Sequence, residues 1–273
     1  MSNDTTGPRT ALITGASGGI GSVYADRLAR RGYDLILVAR QEAALRAVAD
    51  RVAAGSGRVV TAVAADLGDP GDLRRVEALL TNAPRISMLV NNAGFGGVTR
   101  LLDSDPDRME AMIAVNVTAL TRLSYAAAPA FITRGGGTIV NIASIAALAP
   151  ELLNGVYGAT KAYVLAFTQS LEHELAGRGL RIQAVLPGAT ATAFWDVAGL
   201  GGAGHLPSDR VMSAEDLVDA ALAGLDAGEV VTIPPLQDGA EWTRYEALRV
   251  AMGPHLGHAK PAPRYRQGSP AAA

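Results

Sequence analysis

Cysteine is absent from this chain of 273 residues, which removes disulfides and every cysteine-based metal or redox chemistry. Lysine is nearly absent: Lys161 and Lys260 stand against 22 arginines. The chain writes a surface cation as Arg, so a lysine deep in the sequence raises a question, because its compact charge shifts pKa readily. Aromatic residues make up 5% and charged residues 18%. Neither sign of charge is in excess, and a net charge of −2 offers no basic footprint for nucleic acid or an anionic membrane. No uninterrupted apolar run approaches the roughly 18 residues of a membrane span. Met1 to Arg9 is too polar for a secretory signal. What the chain does have is 49% hydrophobic residues, enough for a sizeable core and too many for a disordered chain. A cytoplasmic globular protein of one large domain is expected.

Short apolar runs alternate with longer amphipathic segments. Residues 10–14, 34–39, 58–64, 86–91, 137–143, 180–186 and 229–233 read as strands, most of them continuously apolar as in a parallel sheet covered on both faces. Between them, 19–31, 41–54, 72–82, 107–134, 157–178 and 214–227 read as helices, with starts marked by Pro70 and Asp72, Asp105-Pro106 and Ser213. This alternation predicts an α/β fold: a doubly wound, mainly parallel seven-stranded sheet with helices on both faces. The core is expected over about 8–235. The glycine-rich insert 189–213 reads as a lid or binding loop. A packed helix is expected within 237–252 from Trp242, Tyr245, Leu248 and Met252, followed by a polar, proline-rich tail to 273.

The first strand runs into Thr14-Gly15-Ala16-Ser17-Gly18-Gly19-Ile20-Gly21 and then a helix. Such a turn lets the backbone approach a pyrophosphate at a helix N-terminus, and without a following Gly-Lys-Ser/Thr it is not a P-loop. Dinucleotide loops of this kind place an acidic residue at the end of the second strand to bind the ribose 2′-hydroxyl. Here that strand ends Ala39-Arg40, and a guanidinium suits a 2′-phosphate, hence NADP(H). A solvated arginine opening the next helix is the alternative. Asp66 and Leu67, after the third strand, are candidates to face the adenine.

Tyr157 and Lys161 lie four apart at the start of a predicted helix, on one face and one turn apart. A nearby ammonium favours the phenolate, which would lower the tyrosine pKa toward working pH. Ser144 follows the fifth strand, at the carboxyl edge where ligands bind in such sheets. The four histidines, His173, His205, His255 and His258, form no convincing ligand set, so no metal is expected.

Taken together these motifs resemble the short-chain dehydrogenase/reductase family, a Rossmann-type fold, over about residues 8–235. They stand in order: the 14–21 loop, Asn91-Asn92-Ala93-Gly94, Asn116, Ser144, Tyr157 with Lys161, and Pro187-Gly188 with Thr192. Gly18 lets the loop fit both the short family pattern (Gly15, Gly19, Gly21) and that of the extended branch (Gly15, Gly18, Gly21). Chain length and the Asn-Asn-Ala-Gly segment favour the short branch. The resemblance implies hydride transfer between nicotinamide and a carbonyl or alcohol, with Tyr157 as general acid/base and Ser144 polarising the substrate oxygen. It implies that Lys161 holds the nicotinamide ribose, and that Asn116 anchors a water in a proton relay to it. The cofactor would contact Gly15, Ser17, Gly18, Gly19, Ile20, Gly21, Arg40, Asp66, Leu67, Asn92, Ala93, Gly94, Pro187, Gly188, Thr190 and Thr192. For Asn91 a structural role weighs as much as a binding one. The implied partner is a small carbonyl or alcohol substrate, and the implied assembly a homodimer or homotetramer through helices 107–134 and 157–178. The apolar loop residues Phe95, Leu148, Leu152, Leu153, Phe194, Trp195 and Leu200 suggest a hydrophobic substrate, with Glu151 and Asn154 as polar exceptions. The same groups would equally serve to pack the lid. A regulator that binds NADP(H) without catalysis is the alternative, and it predicts a broken tetrad.

Overall fold

Strand after strand carries aliphatic residues toward both faces, and this builds the centre of the molecule. In the computed structural model, which describes residues 9–265, seven strands are found: β1 Thr10–Thr14, β2 Asp34–Ala39, β3 Val60–Ala64, β4 Ile86–Asn91, β5 Gly137–Ile142, β6 Leu180–Val185 and β7 Val231–Thr232. All pair in parallel, in the order β3-β2-β1-β4-β5-β6-β7. The sheet is therefore the doubly wound one the alternation predicts. Residues 1–8, most of the polar N-terminal stretch, and 266–273, the end of the tail, lie outside the described residues.

The helices are α1 Gly19–Arg30, α2 Glu42–Ser56, α3 Pro70–Asn82, α4 Pro106–Ile113, α5 Leu120–Thr133, α6 Gly155–Glu174, α7 Phe194–Val197, α8 Ala214–Asp226 and α9 Gly239–Met252. Their starts have side-chain causes. Asp69, Asp105 and Ser213 cap α3, α4 and α8 by accepting backbone N–H bonds, and Asn154 caps α6. The start of α3 lies two residues before the expected 72, because Asp69 is the cap and Pro70 fills the first turn, where its missing N–H costs nothing.

Alternation along each strand feeds two cores. On one face Ala11, Ile13, Leu37 and Val90 pack with Leu28, Leu45 and Leu217; on the other Leu12, Leu89 and Ile139 pack with Leu73, Leu80, Leu123 and Phe131. Each such large side chain contributes roughly 1.5–3 kcal/mol by leaving water. The span Pro106–Thr133 is long and apolar enough to cross a membrane by length and composition alone. Its Leu120, Leu123, Ala127 and Phe131 are buried against the sheet, as in a core helix.

One expectation needs correction. The helix read as 107–134 is α4 and α5 joined by a π-helical turn, Ala114–Ala119, that hydropathy does not reveal. The insert after β6, read as a lid or binding loop, holds α7, two 3₁₀ turns and a bridge between Thr190 and Met212. The chain groups into two compact units, Met1–Pro235 and Leu236–Ala273. In the second, α9 forms where a helix was expected, with the Trp242 ring stacked on that of Tyr245. Lys260 is exposed there.

Candidate active site

At the carboxyl edge of β1 the chain turns on Gly15 (φ 65°) and Gly19 (φ 51°), both left-handed and so suited to glycine. A Cβ on Gly15 would meet Ala93 Cα and Asn92 Nδ2 at 2.8 Å, and one on Gly21 would strike the Gly15 carbonyl. Glycines 15, 19 and 21 are thus the ones the fold itself requires, as in the short pattern. Gly18 differs: its backbone is extended (φ 178°), and a Cβ there would meet nothing within 4 Å. The loop lies open at that point. The N-terminus of α1 has neither a side-chain cap nor an acidic residue in its first turn. Open space and unclaimed N–H groups fit a pyrophosphate, so the loop passes the test for a dinucleotide.

Thr14 and Asn92 brace this turn. The buried Thr14 Oγ1 accepts from the backbone N–H of Asn92 and Ala93, both at 3.0 Å, and donates to Val90 O. The Asn92 amide donates to the carbonyls of Thr14 (2.9 Å) and Gly15 (3.0 Å). Asn91 is buried and donates to Ser124 and Asn141, which ties β4 to α5 and β5. Arg40 is exposed at the end of β2, and among the described residues it makes no ion pair. Asp66 holds its own loop by accepting from Gly68 N at 2.9 Å, with Leu67 buried beside it.

Lys161 is 6% exposed and donates to Ile142 O at 2.8 Å, the last carbonyl of β5. Its Nζ lies 5.7 Å from the centroid of the Tyr157 ring and faces Gly94, where a Cβ would lie 3.6 Å from it. The Tyr157 hydroxyl has Ser144 beside it, whose hydroxyl favours the ionised phenol. Ser144 in turn caps the turn after β5, accepting from Ala146 N. Asn116, on the π-turn, is fully engaged: it accepts from Phe95 N and donates to Phe95 O and to Thr160 Oγ1. Its side chain joins the loop after β4 to α6, one residue from Lys161.

The electrostatics run against the expectation for Tyr157. Burial pushes its phenol up to about 12, with the Ser144 hydroxyl opposing, instead of drawing it down toward neutrality. The cause is the ring's setting among Met112, Ala146, Phe95, Met109, Leu153, Val156 and Phe194. Burial also pushes the Lys161 ammonium down to about 8.

Of the proposed walls, Phe95, Leu153 and Phe194 surround Tyr157, with the Phe194 ring 5.6 Å from it. Trp195 is buried, donating to Thr190 O, and Thr190 itself donates to Gly188 O. Leu148, Leu152 and Glu151 are exposed, and Leu200 is half-buried. Asn154 is structural: beyond capping α6 it donates to Thr99 O and Ser104 Oγ. On the lid side, Thr192 lies against Gly19, 3.2 Å from a Cβ there, and Pro187 O accepts from Ile145 N. Three contributors go unseen by motif reading. Thr160 holds Asn116, Gly96 lies under Phe194, and Arg108 donates to Val197 O while facing the Phe95 ring at 5.8 Å. Only the last carries any sequence signal, as a cation beside an apolar loop. Among the described residues, no group of three or more His, Asp or Glu side chains is placed to hold a metal.

A glycine loop, a capped Ser-Tyr pair and a buried lysine around one crevice define an oxidoreductase of the dinucleotide-binding type. The sequence profile of short chain dehydrogenases matches residues 9–199, and the chain belongs to that family. Among solved structures it is similar to a short-chain dehydrogenase from Sphingobium yanoikuyae in complex with NADPH: 47% identity, TM-score 0.91, covering 94% of this chain and 100% of that one. It is also similar to a bulky-bulky ketone specific alcohol dehydrogenase from Comamonas testosteroni, at 41% identity and TM-score 0.86, covering 94% and 98%. A sorbitol dehydrogenase from Cereibacter sphaeroides is 32% identical over 253 residues, 86% of this chain and 97% of that protein.

Proposed function

We propose that this protein is an NADP(H)-dependent oxidoreductase that interconverts apolar ketones and secondary alcohols. One observation carries the reading: the Tyr157 ring, with Ser144 beside its hydroxyl, sits in an apolar pocket one helical turn from a buried Lys161. Gly15, Ser17, Gly18, Gly19, Ile20 and Gly21 would hold the pyrophosphate, and Arg40 the 2′-phosphate. Asp66 and Leu67 would face the adenine; Asn92, Ala93, Gly94, Pro187, Gly188, Thr190 and Thr192 would line the path to the nicotinamide, which supplies or accepts the hydride when bound.

The residues of the chain handle the proton. A phenol raised by burial stays protonated at neutral pH, so Tyr157 is set to donate to an oxygen gaining negative charge. Ser144 offers that oxygen a second hydrogen bond. Lys161, fixed on Ile142 O, holds the cation beside the phenol below about pH 8. Phe95, Leu153 and Phe194 exclude water and favour an apolar substrate, in keeping with the ketone specificity of the Comamonas relative.

A homodimer or homotetramer is proposed, with α5 and α6 facing a second copy; the stacked rings of Tyr125, Phe167 and Tyr163 on those helices, the two tyrosines exposed and Phe167 half-buried between them, support it. A cytoplasmic setting is proposed with it. The test is cofactor consumption with a panel of apolar ketones. NADPH should support turnover, and Arg40→Gln should raise its KM tenfold or more without touching that of NADH. Faster turnover with NADH, or turnover only of small charged substrates, would overturn the reading.

A further inference from the structure

Opposite the catalytic crevice, where the strands begin, lies a cavity of about 570 Å³. Its walls are the segments that feed β1, β4, β5 and β6, and each brings an arginine: Arg9, Arg85, Arg134 and Arg181. Arg85 pairs with Asp34 at 3.3 Å. Among the described residues the other three meet no carboxylate. Arg134 donates to the carbonyls of Ile86 (3.1 Å) and Thr81 (2.6 Å), Arg181 to that of Leu225 (3.4 Å), and Arg9 lies over the Tyr33 ring at 4.9 Å. Carbonyls and a ring face orient a guanidinium without neutralising it. Among the described residues one carboxylate thus stands against four cations. Ser87 adds a hydroxyl on the same wall, shielded from solvent and without a hydrogen-bond partner. The left-handed turn at Gly135 and Gly136 (φ 93° and 131°) reverses the chain directly after Arg134, so no side chain fills the wall there.

Three uncompensated guanidiniums and an orphan hydroxyl converging on a space of ligand size suit an oxyanion of high charge. Planar N–H forks pair bidentately with oxyanions, which a halide cannot match, and several cations around one space favour a ligand with the charge of two or more phosphates over a single carboxylate. We propose that this cavity is a second ligand site, separate from the catalytic crevice, that binds a small molecule carrying two or more phosphate groups.

Calorimetric titration with inorganic pyrophosphate, at ionic strength matched with KCl, tests it on three proteins: wild type, Arg9→Gln/Arg181→Gln and Arg40→Gln. Both arginines of the double variant are exposed and lie outside the catalytic machinery, and its unliganded melting temperature reports that it folds. Wild type and Arg40→Gln should bind pyrophosphate tighter than orthophosphate, and the double variant should bind it at least tenfold more weakly. Equal binding in the double variant, loss of binding in Arg40→Gln, or no heat beyond the KCl control would overturn the proposal. Fructose 1,6-bisphosphate as a second probe separates phosphates borne on a sugar from free diphosphate, by which of the two binds tighter.

Discussion

Gly96 and Phe194 share one space: the Phe194 ring occupies the position that any side chain at 96 would take. A Cβ there would collide with the ring edge and stand 3.3 Å from Tyr157 Cδ2. The loop after β4 and helix α7 are thereby joined directly against the Tyr157 ring.

Gly96→Ala should therefore act on the site more than on the fold. Overpacking of this kind costs typically 1–3 kcal/mol, and here the lid absorbs it by moving Phe194 off Tyr157. We expect kcat/KM for an apolar ketone to fall about tenfold or more. Adding Phe194→Leu should restore part of it. Steady-state kinetics on both variants check this; an unchanged kcat/KM in Gly96→Ala would contradict it.

Tyr157→Phe removes the donor and keeps the ring. General acid catalysis is worth roughly 10²–10⁴-fold, and kcat should fall by that factor with little change in melting temperature. The pH profile follows from the two shifts. With the phenol at about 12 and the Lys161 ammonium at about 8, ketone reduction should hold level through neutral pH and decline above 8 as the lysine loses its charge. Alcohol oxidation needs the phenolate and should climb with pH. Initial rates in both directions between pH 6 and 10 decide the matter.

Lys161 also destabilises the fold it serves. Its folded pKa, about 8, lies below the 10.5 of the unfolded chain, so the unfolded state binds more protons between those values and stability rises with pH across that window. Below pH 8 the penalty is fully present, about 3 kcal/mol from the shift alone. Lys161→Met gives up the bond to Ile142 O but sheds that penalty. It should melt higher than wild type at pH 6.5, by a margin that shrinks at pH 9.5, while losing activity. A lower melting temperature at pH 6.5 would refute this.

Thr14→Val keeps the shape and deletes a hydroxyl that satisfies two backbone donors, Asn92 N and Ala93 N. Asn92 N keeps a second acceptor, Val90 O at 3.1 Å, so only Ala93 N is left without a partner. One such N–H costs about 1–3 kcal/mol, and a loss of that size is expected in urea denaturation. A loss under 1 kcal/mol would show that the turn is held by other means.

How much of this is written locally explains what sequence reading reaches. Strands β1, β2 and β4 fall where the apolar runs place them, because a strand buried on both faces leaves a continuous signature. Tyr157 and Lys161 share a helix, so their spacing alone puts them one turn apart. The raised phenol has no such local sign: it follows from Phe194, Met112 and Phe95, which arrive from three separate segments. The π-turn at 114–119 is invisible for a related reason, since its residues are ordinary helix formers and only the bonding pattern differs. Asn154 misleads as a substrate contact because an N-cap and a polar wall residue look alike until Val156 N is seen to donate to it. The four arginines of the lower cavity are scattered from 9 to 181, and only the sheet's parallel order gathers them.

The contrast between the chain's two lysines has a practical side. Lys161 is sealed beneath the crevice and Lys260 is open to solvent. Reagents that acylate primary amines, or resins that capture them, would engage Lys260 and leave the buried ε-amino group untouched. Arginine does not react with such reagents, so the surface offers them few anchoring points. The ε-amino group proposed to serve turnover would thus stay out of reach of that chemistry.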